Sequence, residues 1–199
     1  MSPRKVNKEQ KRREIALACY DLTHQGIKNI TVAQVAKTAG IGKGTVYEYF
    51  ENKEDIIFEI INIHIEEYHE DFTKSLNHTD STKEKVFKLL KFVVDDSPEM
   101  MEHFNGYKDY LSVVLAEEND AMKEFNGSCT DFFTRQLAII INEGIQKGEI
   151  IPESNQLIAG LMCFEKGAAL MKMTELNFDA KVVCEEFIDT IFTLIEVKI

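Results

Sequence analysis

Apolar residues recur at three- and four-residue intervals along nearly the whole chain, and strand-like alternation is missing. The first periodic segment runs from near Asn7 to Gln25, with Ile15, Ala18, Cys19 and Leu22 on one face and Gly26 at its end. Ile27 and Ile30 then close over it. A second segment places Val32, Val35, Ala36 and Ala39 on one side, and a third, very short one has Val46 and Phe50 four apart. From Asn52 a long helix carries Ile56, Ile57, Ile60, Ile61, Ile63 and Ile65, apolar on more than one side. After the polar break at Asn77–Ser81, Val86 to Val94 predict a fifth helix. Ser97-Pro98 opens a sixth, with Gly106 as an expected kink or break. The polar gap Glu117–Asp120 precedes a seventh helix, through Phe125, Phe132, Phe133 and Leu137 to near Gly148. An eighth covers 155–174 and a ninth 179–196. The expectation is an all-α chain of about nine helices.

The punctuation between helices two and three is specific. Thr31 and Gln34 fit a capping box, and Gly40 stands where a helix end wants positive φ. Ile41 is an apolar plug in the turn, and Gly42 is an acceptable N-cap for a helix over Lys43–Tyr49. Two short helices on a glycine turn form the pattern of a helix-turn-helix. The second carries Lys43, Thr45, Tyr47 and Tyr49 as donors, and Gly44 lets the backbone approach a partner. Such a face suits phosphates and base edges.

The run AKTAGIGKGTVYEYFENKEDI closely resembles the signature of the TetR family of bacterial transcriptional regulators, the match extending over about Ile30 to Ile57. Gly42 departs from the serine that the family more often has there, which bears on one DNA contact and not on the fold. The resemblance implies a three-helix DNA-binding head over 1–52 and a helical ligand-binding and dimerisation body over 53–199. It implies a homodimer on a palindromic double-stranded operator, usually a repressor, released by a small effector bound among helices four to eight. Resemblance and donor chemistry together assign DNA contact to Thr31, Lys43, Gly44, Thr45, Tyr47, Tyr49 and Lys53.

Charge sharpens this division. The net charge of −11 argues against a nucleic-acid partner until the chain is split. Residues 1–50 hold nine Lys/Arg against four Asp/Glu, whereas 51–199 hold fourteen against thirty. DNA contact is therefore confined to the head, and the acidic remainder is repelled from the duplex. Arg4, Lys5, Lys8, Lys11, Arg12 and Arg13 make a basic leader, readable as an arm along phosphate or as a solvated end. No apolar run reaches the length of a membrane span and no secretory leader is visible, so a cytoplasmic protein is expected. Cys19, Cys129, Cys163 and Cys184 lack paired spacing and read as reduced, mostly buried thiols.

In the body, Phe and Met suit a cavity that re-packs around variable apolar or cationic ligands. Phe104, Tyr107, Tyr110, Phe132 and Phe164 are the candidate lining. Glu165, on an apolar helix, reads either as a buried acid facing a cationic ligand or as a surface partner of Lys166 or Arg135. His64 and His69, among glutamates, read as a solvated helix face rather than a metal site. Dimerisation is expected through Leu157, Leu161, Phe164, Ala168 and Met171 of the eighth helix. Val183, Phe187, Ile191 and Leu194 of the ninth complete it, broadened by Ile188, Phe192 and Ile195. No catalytic triad, phosphate loop or zinc motif is present, so neither an enzyme nor a cofactor is expected. The rival reading is an architectural DNA-binding protein of the same fold whose body docks a protein partner.

Overall fold

Asn7 opens the first helix by accepting a hydrogen bond from the Glu9 amide, and α1 then runs Lys8–Ala18. This is shorter than expected. The chain tightens at Cys19, whose amide donates to the Ala16 carbonyl, and continues as a 3₁₀ segment, Tyr20–Gln25. A 3₁₀ repeat of three residues per turn keeps Cys19 and Leu22 on one side, and both are buried. Ala16, fully buried, takes the place expected of Ala18, which is exposed. The structure, a computed structural model of the chain, describes residues 7–25, 29–115 and 120–198. Arg4, Lys5, Gly26, Ile27 and the gap at 117–119 lie outside them.

Next come α2 (Val32–Thr38), α3 (Lys43–Tyr49) and α4 (Lys53–Ser75). The chain divides into two compact units, Met1–Tyr68 with Asn105–Glu118, and His69–Phe104 with Asn119–Ile199. Compactness parts α4 after Tyr68 because Ile56, Ile60 and Ile63 complete the core of the first unit. That core joins them to Ile15, Ala16, Cys19 and Leu22, to Val35 and Ala36 of α2, and to Val46 and Phe50 around α3.

The second unit starts from a capping box. Ser81 and Glu84 satisfy each other's amides, and α5 covers Thr82–Leu89. The expected single helix to Val94 is instead broken at Leu90, after which α6 spans Lys91–Val94. The break lets adjacent Leu89 and Leu90, together with Val93, all face inward. Helix α7 (Pro98–Val114) runs through Gly106 without the break that was one of the two outcomes expected there. Helix α8 covers Asp120–Gln146 and ends with Gly148 at φ +71°, the left-handed conformation that glycine adopts without strain. A 3₁₀ segment, Pro152–Leu157, replaces the first turn expected of the next helix, so α9 runs Ile158–Thr174. Asp179 caps α10, Ala180–Ile195. The described residues thus hold ten α-helices and, in place of any strand, one isolated bridge between Ile150 and Glu196.

Two close approaches lock the second unit. Gly144 of α8 lies against Thr82, such that a Cβ there would sit 2.3 Å from the threonine Oγ1. Beside it the Glu149 carboxylate accepts from the Thr82 amide (2.8 Å) and hydroxyl (2.7 Å), and Lys85, itself buried, pairs with Glu143 at 2.7 Å. Among the described residues no helix is long and apolar enough to cross a membrane.

Candidate nucleic-acid interface

The geometry of α2 and α3 follows from their caps. The Gln34 amide donates to Thr31 Oγ1 (3.3 Å) while Gln34 Oε1 accepts from the Thr31 amide (2.9 Å), closing the capping box. Gly40 takes φ +67°, and the Ile41 amide reaches back to the Ala36 carbonyl at 2.9 Å. Gly42 starts α3 without a side-chain cap. A Cβ at Gly42 would meet only Thr45 Oγ1, at 3.9 Å, so a serine is sterically admissible there.

Helix α3 divides cleanly. Val46 is fully buried and Phe50 is 1% exposed, anchoring one side. Lys43, Gly44 and Tyr47 are exposed on the other, Tyr47 at 58%. Thr45 and Tyr49 are half-buried, and Tyr49 packs against the head core. A Cβ at Gly44 would meet nothing within 4 Å, so no neighbour within the chain calls for glycine there. Thr31 is exposed, its hydroxyl already donating to Gln34, and Lys53 is half-buried in the first turn of α4.

Three of the leader residues, Lys11, Arg12 and Arg13, find partners within the chain. Lys11 pairs with Glu14, and Arg13 pairs with Glu66 of α4 at 2.5 Å. Arg12 turns inward. Its Nη1 donates to the Tyr49 carbonyl (2.8 Å) and to Asp55 Oδ2 (3.0 Å), and its Nη2 to Asp55 Oδ1 (2.7 Å) and Glu59 Oε2 (3.1 Å). Its guanidinium carbon stands 4.6 Å from the Phe50 ring centroid. The hydrogen bond from Arg12, with one from the Glu51 amide, holds the Asp55 carboxyl below its ordinary pKa against the opposing effect of burial. In the sequence Arg12 stands out only as one of a run of basic residues. Its position, three before Ile15 and seven before Cys19, puts it on the buried face of α1 and was the available signal.

The body candidates fall into separate groups. In the first unit, Tyr107 and Tyr110 lie ring to ring at 6.2 Å. In the second, Phe104 is buried between Phe92 (5.5 Å) and the Lys172 ammonium (4.9 Å). Phe132 stacks on His69 and Phe164 on Phe187, each at 3.7 Å. His64 likewise stacks on Tyr20 at 3.7 Å, so neither histidine sits on an open, solvated face. Among the described residues a cleft of about 340 Å³ opens beside Val94, Asp96, Lys172 and 176–181, and none of the five aromatic candidates lines it.

Glu165 lies on the inner stripe of α9, flanked by buried Leu161, Met162, Ala168 and Ala169. Neither Lys166 nor Arg135 pairs with it, and among the described residues it has no ion pair or hydrogen bond. Burial, only partly offset by the charge of Lys166, pushes its pKa up to about 7. On the expected dimer surface, Leu161 and Ala168 are buried within the chain, as are Ile188, Phe192 and Ile195. Leu157, Phe164, Phe187 and Ile191 are half-buried. Met171 (46%), Val183 (37%) and Leu194 (74%) are exposed. Of the thiols, Cys19 and Cys184 are buried, Cys129 is half-buried and Cys163 is exposed, all free.

A capped helix, a left-handed glycine turn and a second helix anchored on one side and donor-rich on the other define a helix-turn-helix, DNA-binding regulator. Residues 16–60 match the model of the family described as bacterial regulatory proteins, tetR family. An HTH-type transcriptional regulator of Staphylococcus aureus (strain bovine RF122 / ET3-1) is 33% identical over 137 residues, covering 65% of this chain and 73% of that one. The fatty acid metabolism regulator protein of Bacillus subtilis (strain 168) is 25% identical over 143 residues, 72% of each chain. A TetR-family regulator from Cytophaga hutchinsonii superposes with a TM-score of 0.74 at 19% identity, covering 98% of this chain and 100% of its own. The Bacillus subtilis regulator FadR, solved in complex with stearoyl-CoA, does so at 0.60 and 20% identity, covering 90% and 97%. The chain belongs to the TetR family of transcriptional regulators. These relatives are transcriptional regulators, a class that is generally not enzymatic.

Proposed function

We propose that this protein is a one-component cytoplasmic repressor that binds a palindromic operator as a homodimer and leaves it when an acyl-CoA thioester binds in its second unit. The observation that carries the DNA half is the division of α3, with Val46 and Phe50 buried beneath exposed Lys43, Gly44 and Tyr47. In this reading Lys43 and Thr45 meet base edges. Thr31, Tyr47, Tyr49 and Lys53 meet phosphates, and Gly44 admits close backbone approach. Two heads on one face of B-DNA sit about 34–36 Å apart, or a multiple of that. Helix α4 runs unbroken from beside α3 into the second unit and is the covalent route between effector and head. The dimer forms through α9 and α10. Met171, Val183 and Leu194 supply exposed apolar surface, the Phe164–Phe187 stack and Ile191 its half-buried floor, and Leu157, Leu161 and Ala168 back it. Phe187→Glu then halves the mass seen by light scattering while helicity is kept.

The acyl-CoA class is supported by the relatives, one a fatty acid metabolism regulator and one solved with stearoyl-CoA. The test is a titration of saturated acyl-CoAs and free CoA against the protein, with and without an operator duplex selected from a random pool. Linkage requires the operator to weaken effector binding by the factor with which the effector weakens the operator, about 5- to 150-fold for a usual coupling. Equal affinity in both titrations would show that the thioester is not an inducer. A second reading, a protein partner docked on the body, draws on the stacking of Phe132 on His69, which fills the space beside that ring. Binding of no acyl-CoA alongside stoichiometric capture of one protein would favour it.

A further inference from the structure

The Arg12 guanidinium uses all three of its nitrogens on two structural elements, α3 and α4. Its Nε donates to Glu59 Oε2 at 3.2 Å, and its two Nη atoms engage the Tyr49 carbonyl and both Asp55 oxygens at 2.7–3.0 Å. Tyr49 is the last residue of α3, where the helix dipole leaves its carbonyls negative and a cation is favoured. Asp55 lies in the first turn of α4, and its Oδ2 also accepts from the Glu51 amide at 3.0 Å. The turn between recognition helix and α4 is therefore bridged at both ends by one planar, five-donor group that began on α1. The side chains of Arg12, Asp55 and Glu59 are only 23%, 25% and 20% exposed, which limits screening by salt. Lysine, a point charge with no fork, cannot reproduce the bidentate grip on Asp55 while also reaching Tyr49.

We infer that Arg12 is a positioning residue for operator binding: it fixes the orientation of α3 on α4, so that movement of α4 is transmitted to the recognition helix. This role rests on the DNA-binding reading proposed above. It differs from that of a basic residue near the duplex, because every donor direction of the guanidinium is already spent within the chain.

The test compares Arg12→Gln, Arg12→Lys, Asp55→Asn and the Arg12→Gln/Asp55→Asn double variant on a duplex selected from a random pool by the wild-type dimer. Binding is measured over a series of salt concentrations, at a temperature where circular dichroism shows each variant folded. A positioning role lowers affinity at least tenfold in Arg12→Gln and Asp55→Asn and less in Arg12→Lys. The double variant is then no worse than the poorer single one, and the slope of log K against log salt is unchanged. A direct phosphate contact lowers that slope by about one unit, and Asp55→Asn then tightens binding by freeing the guanidinium. That outcome overturns the proposal. So does unchanged affinity in folded variants with lowered melting temperatures, which reduces the cluster to a stabilising one. If Arg12→Gln does not fold, Asp55→Asn and Arg12→Lys decide the matter by the same criteria. A wild-type protein that selects no duplex removes the DNA-binding reading itself, and this role with it. Selection that succeeds and depends on Lys43, with Asp55→Asn without effect, removes only the role of Arg12.

Discussion

Arg12 and Glu165 both stand on the inward faces of their helices, and the protein treats them oppositely. Arg12 is met by two carboxylates, a carbonyl and an aromatic face. Glu165, among Leu161, Met162, Ala168 and Ala169, is met by no countercharge within bonding distance among the described residues. A half-buried charge is tolerable when its hydrogen-bonding capacity is filled, and otherwise it must be neutralised by a proton or by something brought in. The first unit has its charge settled by folding. The second carries one that is not, and the titration of Glu165 is the most direct way to expose this difference.

The largest expected effect is therefore at Glu165. Its folded pKa, about 7, is raised above the ordinary 4.5, so the folded state holds a proton that the unfolded chain releases. Below about pH 4.5 both states are protonated and there is no penalty. Stability falls as pH rises through the window between the two values, and the loss is complete above about 7. Glu165→Gln abolishes that fall, gaining up to roughly 3 kcal/mol at pH 8 and almost nothing at pH 4. Melting temperatures of both proteins across this range test it. Parallel curves would mean that the carboxylate finds compensation in the folded state after all.

Arg12→Ala makes the opposite change, leaving Asp55 and Glu59 close together without their cation. A cost of about 2 kcal/mol is expected, between the values for exposed and fully buried pairs. Because the hydrogen bond from Arg12 depresses the Asp55 pKa, its contribution is present above the unfolded carboxylate pKa and is lost as pH falls through the folded one. Wild type thus loses this advantage over Arg12→Ala in acid, whereas Glu165→Gln loses its advantage over wild type there. A destabilisation by Arg12→Ala that persists undiminished in acid would attribute the effect to lost packing on Phe50 instead.

These two residues also mark where reading the sequence succeeded and where it stopped. The box at Thr31 and Gln34, the positive φ of Gly40, the anchors Val46 and Phe50 and the box at Ser81 and Glu84 were all legible, because each depends on neighbours within a turn or two. The partners of Arg12 lie 37 to 47 residues away, and no local signal distinguishes a paired arginine from its neighbours in a basic run. The breaks at Cys19 and Leu90 were hidden for a different reason: there the apolar periodicity continues while the hydrogen bonding shortens. Helix α9 is apolar on several sides, so periodicity could not say that Leu161 and Ala168 face inward while Leu170 and Met171 face out. For Glu165 the sequence offered two candidate partners, and only the fold shows that neither is in place.

A smaller effect, purely steric, is expected where α5 meets α8. Alanine usually gains about 1 kcal/mol over glycine within a helix. At Gly144 the new Cβ would fall 2.3 Å from Thr82 Oγ1 and 2.8 Å from its Cγ2, and it would push Thr82 away from Glu149. Gly144→Ala should therefore destabilise by about 1–2 kcal/mol net. Gly144→Ala with Thr82→Ser removes the methyl and should recover part of the loss in urea melts. A stabilising Gly144→Ala would mean that the two helices part at little cost.

The last effect is one of function, and it belongs to Lys53. It stands two residues before Asp55, half-buried in the same first turn of α4. If the ammonium serves phosphate, Lys53→Ala acts first on DNA binding. On DNA it should weaken every duplex alike and reduce the slope of log K against log salt by about one unit, because one fewer counterion is released. Arg12→Gln is expected to do the reverse, lowering affinity with the slope intact. The pair of salt titrations thus separates a charge spent on the duplex from a charge spent on the fold. A Lys53→Ala protein with altered base preference and an unchanged slope would move Lys53 from the phosphate to a base edge.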